Sequence, residues 1–255
     1  DSITVLSLMY KFMAKKKLGI IIEVRTGSKR LPAKCLKKIN NKNIIEILLN
    51  SLSEIKNIKK IIATTKLKQD DVLEKIAVRN NINIFRGPSK DLVSRVISAA
   101  KLGGIDHIIQ LTADNPLVDV NILKKMINIY YKNNYEFISN SLVRSFPIGS
   151  DIRIFSLKSL IKISKIQKTN REHTCYYFLK NPKRFKTYNY FASKKLNRPD
   201  IRLTIDYKED FSFVKKVLIK NKNKKIRLLN IINIIDNNPE LKKINFKYPR
   251  TTIIN

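Results

Sequence analysis

The stretch LGIIIEVRTGSKRLPAK, residues 18–34, joins an apolar run to a loop carrying four cations, Arg25, Lys29, Arg30 and Lys34, around a Gly-Ser turn. An apolar run with no polar alternation is the pattern of a strand buried on both faces, as in a parallel sheet. A strand that leaves into a Gly-Ser turn can aim backbone N–H groups at an anion. The loop is not a P-loop, because it lacks the second Gly and the Lys-Ser/Thr pair, and G-x-G-x-x-G is absent too. Taken alone, it is either a solvated basic loop or a cradle for a polyanion.

Further strands are expected at 59–65 (KKIIATT), 82–87 (INIFRG) and 107–113 (HIIQLTA). Between them, NIIEILLNSLSEI, DDVLEKIAVRNN and DLVSRVISAAKLG carry apolar residues at helical spacing. This alternation predicts an α/β fold: a doubly wound, mostly parallel sheet whose ligands bind beyond the carboxyl ends of the strands. The rhythm changes near residue 140. RSFPIGSDIRIF and RFKTYNYFASKKLNRPDIRLTID look extended, with helical NREHTCYYFLKN between them and helical YKEDFSFVKKVLIK and IRLLNIINIIDNN after them. We expect one domain over 18–255, with a small α+β excursion over about 144–200 for substrate binding and dimerisation. Met13 before AKKKLGIII has the form of a start site, with 1–12 an upstream extension and 1–17 expected to be disordered.

Composition narrows the classes. Of 255 residues, 43% are hydrophobic and 28% charged, enough for a sizeable core. No apolar run reaches the length of a membrane span, so no membrane association is expected. Two cysteines, Cys35 and Cys175, lack metal-like spacing, and two histidines, His107 and His173, make a His-rich zinc site a poor fit. A reducing, cytoplasmic setting follows as the default expectation. The net charge of +32 suits nucleic acid. The lysines are nevertheless spread along the chain, and no stripe alternates Arg with aromatic residues. Drift toward Lys, Asn and Ile is the preferred reading of that charge.

Two more strand ends carry chemistry. In QLTADNP (110–116), Asp114 follows an apolar strand and precedes a strand-stopping Asn-Pro. In RLTIDYKED (202–210), Asp206 again ends an apolar run, while Glu209 and Asp210 fall in the first turn of a helix, where the dipole favours them. Taken alone, Asp114 is also a turn residue. Two strand-end carboxylates beside a basic loop make a consistent set for metal-assisted attack on a nucleotide phosphate, with Mg²⁺ as the hard cation.

GIIIEVRTGSKRLPAKCL, IIATT, IFRGPSKDLVSRVISAAK, LTADNPLVD, ISNSLVRSFPIGSDIRIF, REHTCYYF and RLTIDYKED stand in the order of one family. The chain resembles, from about 18 to 213, the cytidylyltransferases related to CMP-KDO synthetase, and most closely the spore-coat polysaccharide biosynthesis protein F type. The resemblance implies a glycosyltransferase-A-like nucleotidyltransferase fold. It also implies activation of a sugar or sugar acid with CTP, giving a CMP-sugar and pyrophosphate, in surface polysaccharide or glycan biosynthesis, by a homodimer. Carried over residue by residue, it implies that Arg25, Gly27, Ser28, Arg30 and Lys34 hold the triphosphate. Thr64, Thr65, Asp91 and Arg95 would then contact the nucleotide, and Asp114 and Asp206 would hold Mg²⁺. Asp151, Arg171, Glu172 and His173 would face the sugar.

The chain departs from the family pattern at several points. Glu23-Val24 replace Gln-Ala, Ala33 and Ala113 replace glycines, Arg153 stands where Glu is common, and Tyr207-Lys208 replace Thr-Pro. Glu23 would repel a triphosphate unless Arg25 or Lys34 pairs with it. The alternative readings are a glycosyltransferase using a nucleotide-sugar donor, and a decayed enzyme scaffold that binds nucleic acid through its charge.

Overall fold

The computed structural model describes residues 17–222 and 224–248. The expectation of a disordered 1–17 lies, Lys17 apart, outside the described residues. The apolar runs form strands where the sequence places them: β1 (Leu18–Glu23), a small hairpin of β2 (Lys38–Ile39) and β3 (Lys42–Asn43), β4 (Lys59–Thr65), β5 (Asn83–Gly87) and β6 (His107–Thr112). They are followed by β7 (Phe137–Ser139), β8 (Arg153–Ser156) and β9 (Thr187–Asn189). The main sheet has seven strands in the order β5-β4-β1-β6-β8-β7-β9. Strands β5, β4, β1 and β6 are parallel, and β8 runs antiparallel to both of its neighbours. The edge pair β7–β9 is parallel again.

The expected helices are α1 (Ile44–Leu52), α2 (Asp71–Arg79) and α3 (Leu92–Gly103). Next come two helices beyond those expected, α4 (Val120–Asn133) and α5 (Leu157–Ile166), whose apolar residues also fall at helical spacing. The last are α6 (Tyr176–Lys180), α7 (Lys208–Lys220) and α8 (Leu228–Asp236). Helix α6 is shorter than expected, since 170–175 forms turns. Two of the extended expectations are corrected. Residues 144–152 are a loop leading into β8. The run 201–206 is not a strand of the sheet; it joins the 144–152 loop through a single bridge, Ile148 to Arg202. The 144–200 segment also gives β8 and β9 to the main sheet.

Side-chain alternation in the central strand builds a core on each face. Ile20 and Ile22 pack among the residues of α1, α4 and α7, whereas Ile21 faces α3, α5 and α6. The same alternation places Glu23 on the Ile21 face and Gln110 beside it on β6. The chain leaves β1 toward β4 and β5, and returns to add β6 on the other side. The loops after β1 and β6 therefore diverge at a topological switch point, and the site lies there.

Candidate active site

The loop after β1 is held from below. Asp70, fully buried at the turn before α2, accepts hydrogen bonds from Thr26 N (2.8 Å), Thr26 Oγ1 (2.6 Å) and Thr65 Oγ1. Burial alone would raise its pKa, but the bonds from Thr26 and Thr65 outweigh it and keep the carboxyl below its ordinary range. The loop then folds back, with Ala33 N bonded to Thr26 O at 3.0 Å, and this requires Ala33 to sit at φ 51°. A left-handed Ala is strained, so this position favours a residue without a Cβ.

Above the loop lies a cleft of about 550 Å³ at the carboxyl ends of β1 and β6. Arg25, Ser28, Arg30 and Lys34 line it, together with Asp114 and Asp206. The Lys34 ammonium bridges the two carboxylates, at 2.6 Å from Asp114 and 2.8 Å from Asp206. Asp206 also meets Arg30 at 2.9 Å and Arg202 at 3.0 Å. Its burial opposes ionisation, yet Lys34 and Arg30 more than offset this and lower its pKa to about 2. The two aspartates lie together because Ile205 N donates to Asp114 O (2.9 Å), docking the 201–206 run against the β6 loop. Gly149 makes room for that run: its φ is 92°, and a Cβ there would stand 2.2 Å from Thr204 N.

On the inner flank, Asp151 is clamped between Arg144 (2.6 Å) and Arg153 (3.0 Å). Burial would raise its pKa, and the two guanidiniums pull it below the ordinary range. Glu172 and His173 line the same flank, and burial lowers the His173 pKa. The Nε atoms of Arg95, Arg144 and Arg153 are buried without a hydrogen-bond partner among the described residues.

Glu23 does not pair with Arg25 or Lys34. It is buried, and accepts from Gln110 Nε2 (2.9 Å) and Thr174 Oγ1 (2.5 Å), with desolvation raising its pKa. Its charge is therefore muted by burial at the cleft floor.

Other nominated residues sit behind the cleft. Thr64 and Thr65 are fully buried at the end of β4, and Gly27 abuts Gln69. Arg171 pairs with Asp91 at 2.9 Å and bonds the carbonyls of Ser164 and Gln167, tying the 170–173 turn to the start of α3. These residues support the lining without forming it. Arg144, Arg202 and Asp210 escaped the reading of strand ends. The one local signal was the spacing of Arg202, Asp206 and Asp210 at four-residue intervals.

Among the described residues, no three Asp, Glu, His or Cys side chains cluster to hold a metal, and no helix is long and apolar enough to cross a membrane. Two carboxylates that converge on one cation still suit a hard ion whose remaining ligands are phosphate oxygens and water.

A sequence model of the family described as Cytidylyltransferase matches residues 19–235. The chain is 35% identical to an uncharacterised protein of Methanocaldococcus jannaschii, over 88% of this chain and 93% of that one. It is 29% identical to the spore coat polysaccharide biosynthesis protein SpsF of Bacillus subtilis, over 86% and 94%. The solved structure of a cytidylyltransferase from Leptospira borgpetersenii superposes with a TM-score of 0.86 at 34% identity, covering 92% of this chain and all of that one.

Proposed function

The chain belongs to the cytidylyltransferase family, and from that premise we propose that it transfers CMP from CTP to a hydroxyl of a sugar or sugar acid, releasing pyrophosphate. The observation that carries this reading is the convergence of Lys34, Arg30, Asp114 and Asp206 at the switch point. The acceptor oxygen forms a bond to the α-phosphorus while the bond from that phosphorus to the pyrophosphate oxygen breaks. The hydroxyl proton passes to solvent. Arg25, Arg30 and Lys34 stabilise the charge growing on the leaving pyrophosphate, and Ser28 lines the same cleft. Asp114 and Asp206 would hold Mg²⁺, whose charge would screen the phosphates and favour loss of the hydroxyl proton. Positioning and electrostatics suffice for this chemistry, so neither cysteine is needed as a nucleophile.

On the inner flank, the Asp151 clamp, Glu172 and His173 offer a polar lining for a hydroxyl-rich acceptor. The SpsF relative, named for spore coat polysaccharide biosynthesis, supports a glycan precursor as that acceptor. The test is Mg²⁺-dependent pyrophosphate release from CTP across a panel of sugars and sugar acids, with Asp114→Asn as control. Release with one acceptor class and none from the variant is expected. No release with any acceptor, or equal release from the variant, overturns the reading.

A further inference from the structure

Beyond residue 235, where the family match ends, the chain returns to the site. A 3-10 turn over Pro239–Lys243 leads into residues 245–248, and two routes run from that strap to Asp206. The inner route is buried. Asn245 Nδ2 donates to Asp210 Oδ1 (2.9 Å), Asp210 grips Arg202 through two bonds (3.0 and 3.2 Å), and Arg202 reaches Asp206 Oδ2. The outer route is aromatic. Tyr248 stacks on Tyr207 with ring centroids 3.8 Å apart and planes 6° from parallel. Its hydroxyl donates to Glu209 (2.6 Å), and Lys247 pairs with the same carboxylate (2.8 Å). The Arg30 guanidinium lies 5.2 Å from the Tyr207 ring centroid and 2.9 Å from Asp206 Oδ1.

Arg30 needs such support. Its side chain is 56% exposed on a loop, where an unsupported guanidinium loses much rotamer freedom when a ligand fixes it. A flat aromatic face restricts the guanidinium beforehand and attracts its charge. We propose that Tyr207 and Tyr248 form a platform that positions Arg30 for the triphosphate, so that the C-terminal strap is part of the phosphate site. This rests on the triphosphate reading above. It also gives a role to Tyr207, whose place in the family pattern belongs to Thr.

The test is calorimetric binding of magnesium tripolyphosphate, a probe that needs neither base nor sugar. Tyr248→Ala is expected to weaken binding about threefold to fivefold, the scale of the aromatic stack that holds the Tyr207 face under Arg30. Tyr248→Phe keeps the stack and should bind within about twofold of wild type, the scale of one exposed hydrogen bond. In an Arg30→Ala background, Tyr248→Ala should cost nothing further, because the residue acts through Arg30. Wild-type binding with an equal Tyr248→Ala loss in both backgrounds, or with none in either, overturns the strap and spares the triphosphate reading. Failure of the wild type to bind the probe overturns both.

Discussion

The Lys34 ammonium lies 2.6 Å from Asp114 although 80 residues separate them, and the same nitrogen reaches Asp206 at 2.8 Å. One cation thus gathers three chain segments at the switch point, and its pKa is raised despite burial because both carboxylates favour its charge. Lys34→Met should lower kcat/KM for CTP about 100- to 1,000-fold, the scale of losing one oriented charge donor to a transition state. Arg30 and Arg202 still hold Asp206 in that variant, so circular dichroism should report an intact fold. Near-normal turnover would remove Lys34 from the mechanism.

Asp206 sets a signature in acid. Its carboxyl titrates near 3.8 when unfolded and at about 2 in the native protein, where Lys34 and Arg30 outweigh desolvation. Between those values the unfolded chain binds more protons, so the contribution to stability is fully present above pH 3.8 and is lost as pH falls toward 2. Its size is about 2 kcal/mol. Chemical denaturation of wild type and Asp206→Asn across this window should show a shallower pH slope for the variant. Parallel slopes would contradict the pairing.

Glu23 carries the opposite sign. Desolvation is the largest influence on it, and Thr174 and Gln110 only partly compensate, so its native pKa lies above the unfolded value. The native state then holds the proton more tightly, and stability falls as pH rises past the ordinary range of a glutamate. Glu23→Gln keeps an oxygen to accept from both neighbours and removes the ionisation. The variant should melt higher than wild type at pH 8 and match it near pH 4. A lower melting temperature at pH 8 would mean that the ionised carboxylate is well solvated.

The parallel half of the sheet was legible because β1 is an unbroken apolar run and β4, β5 and β6 carry short apolar stretches between helical patterns, and the strand-end rule then nominated Arg30, Lys34, Asp114 and Asp206. What escaped depends on distant partners. Asp70 holds the β1 loop from 44 residues away, and Asp210 has the sequence signature of an ordinary helix-start acid while serving as the buried seat of Arg202. Thr64 and Thr65 illustrate the reverse case: a strand end can point its side chains into the protein, and alternation alone does not say which loop will cover them. The 201–206 run was expected as a strand because it is apolar. It instead spends its backbone groups on Ile148 and Asp114.

Gly149 and Gly104 separate backbone strain from site geometry. Both have positive φ, 92° and 63°, but a Cβ at Gly104 meets nothing within 4 Å, whereas one at Gly149 meets Thr204 N at 2.2 Å. Gly104→Ala should therefore cost only the left-handed penalty, about 1 kcal/mol, and leave turnover unchanged. Gly149→Ala adds a backbone clash, and should cost about 3 kcal/mol or more. The clash pushes on the run that carries Asp206, so kcat/KM should also drop about tenfold or more through misplacement of that carboxylate. Denaturant midpoints and kinetics on the two variants decide the matter. If both lose the same stability and neither loses activity, the Gly149 contact does not set the position of Asp206.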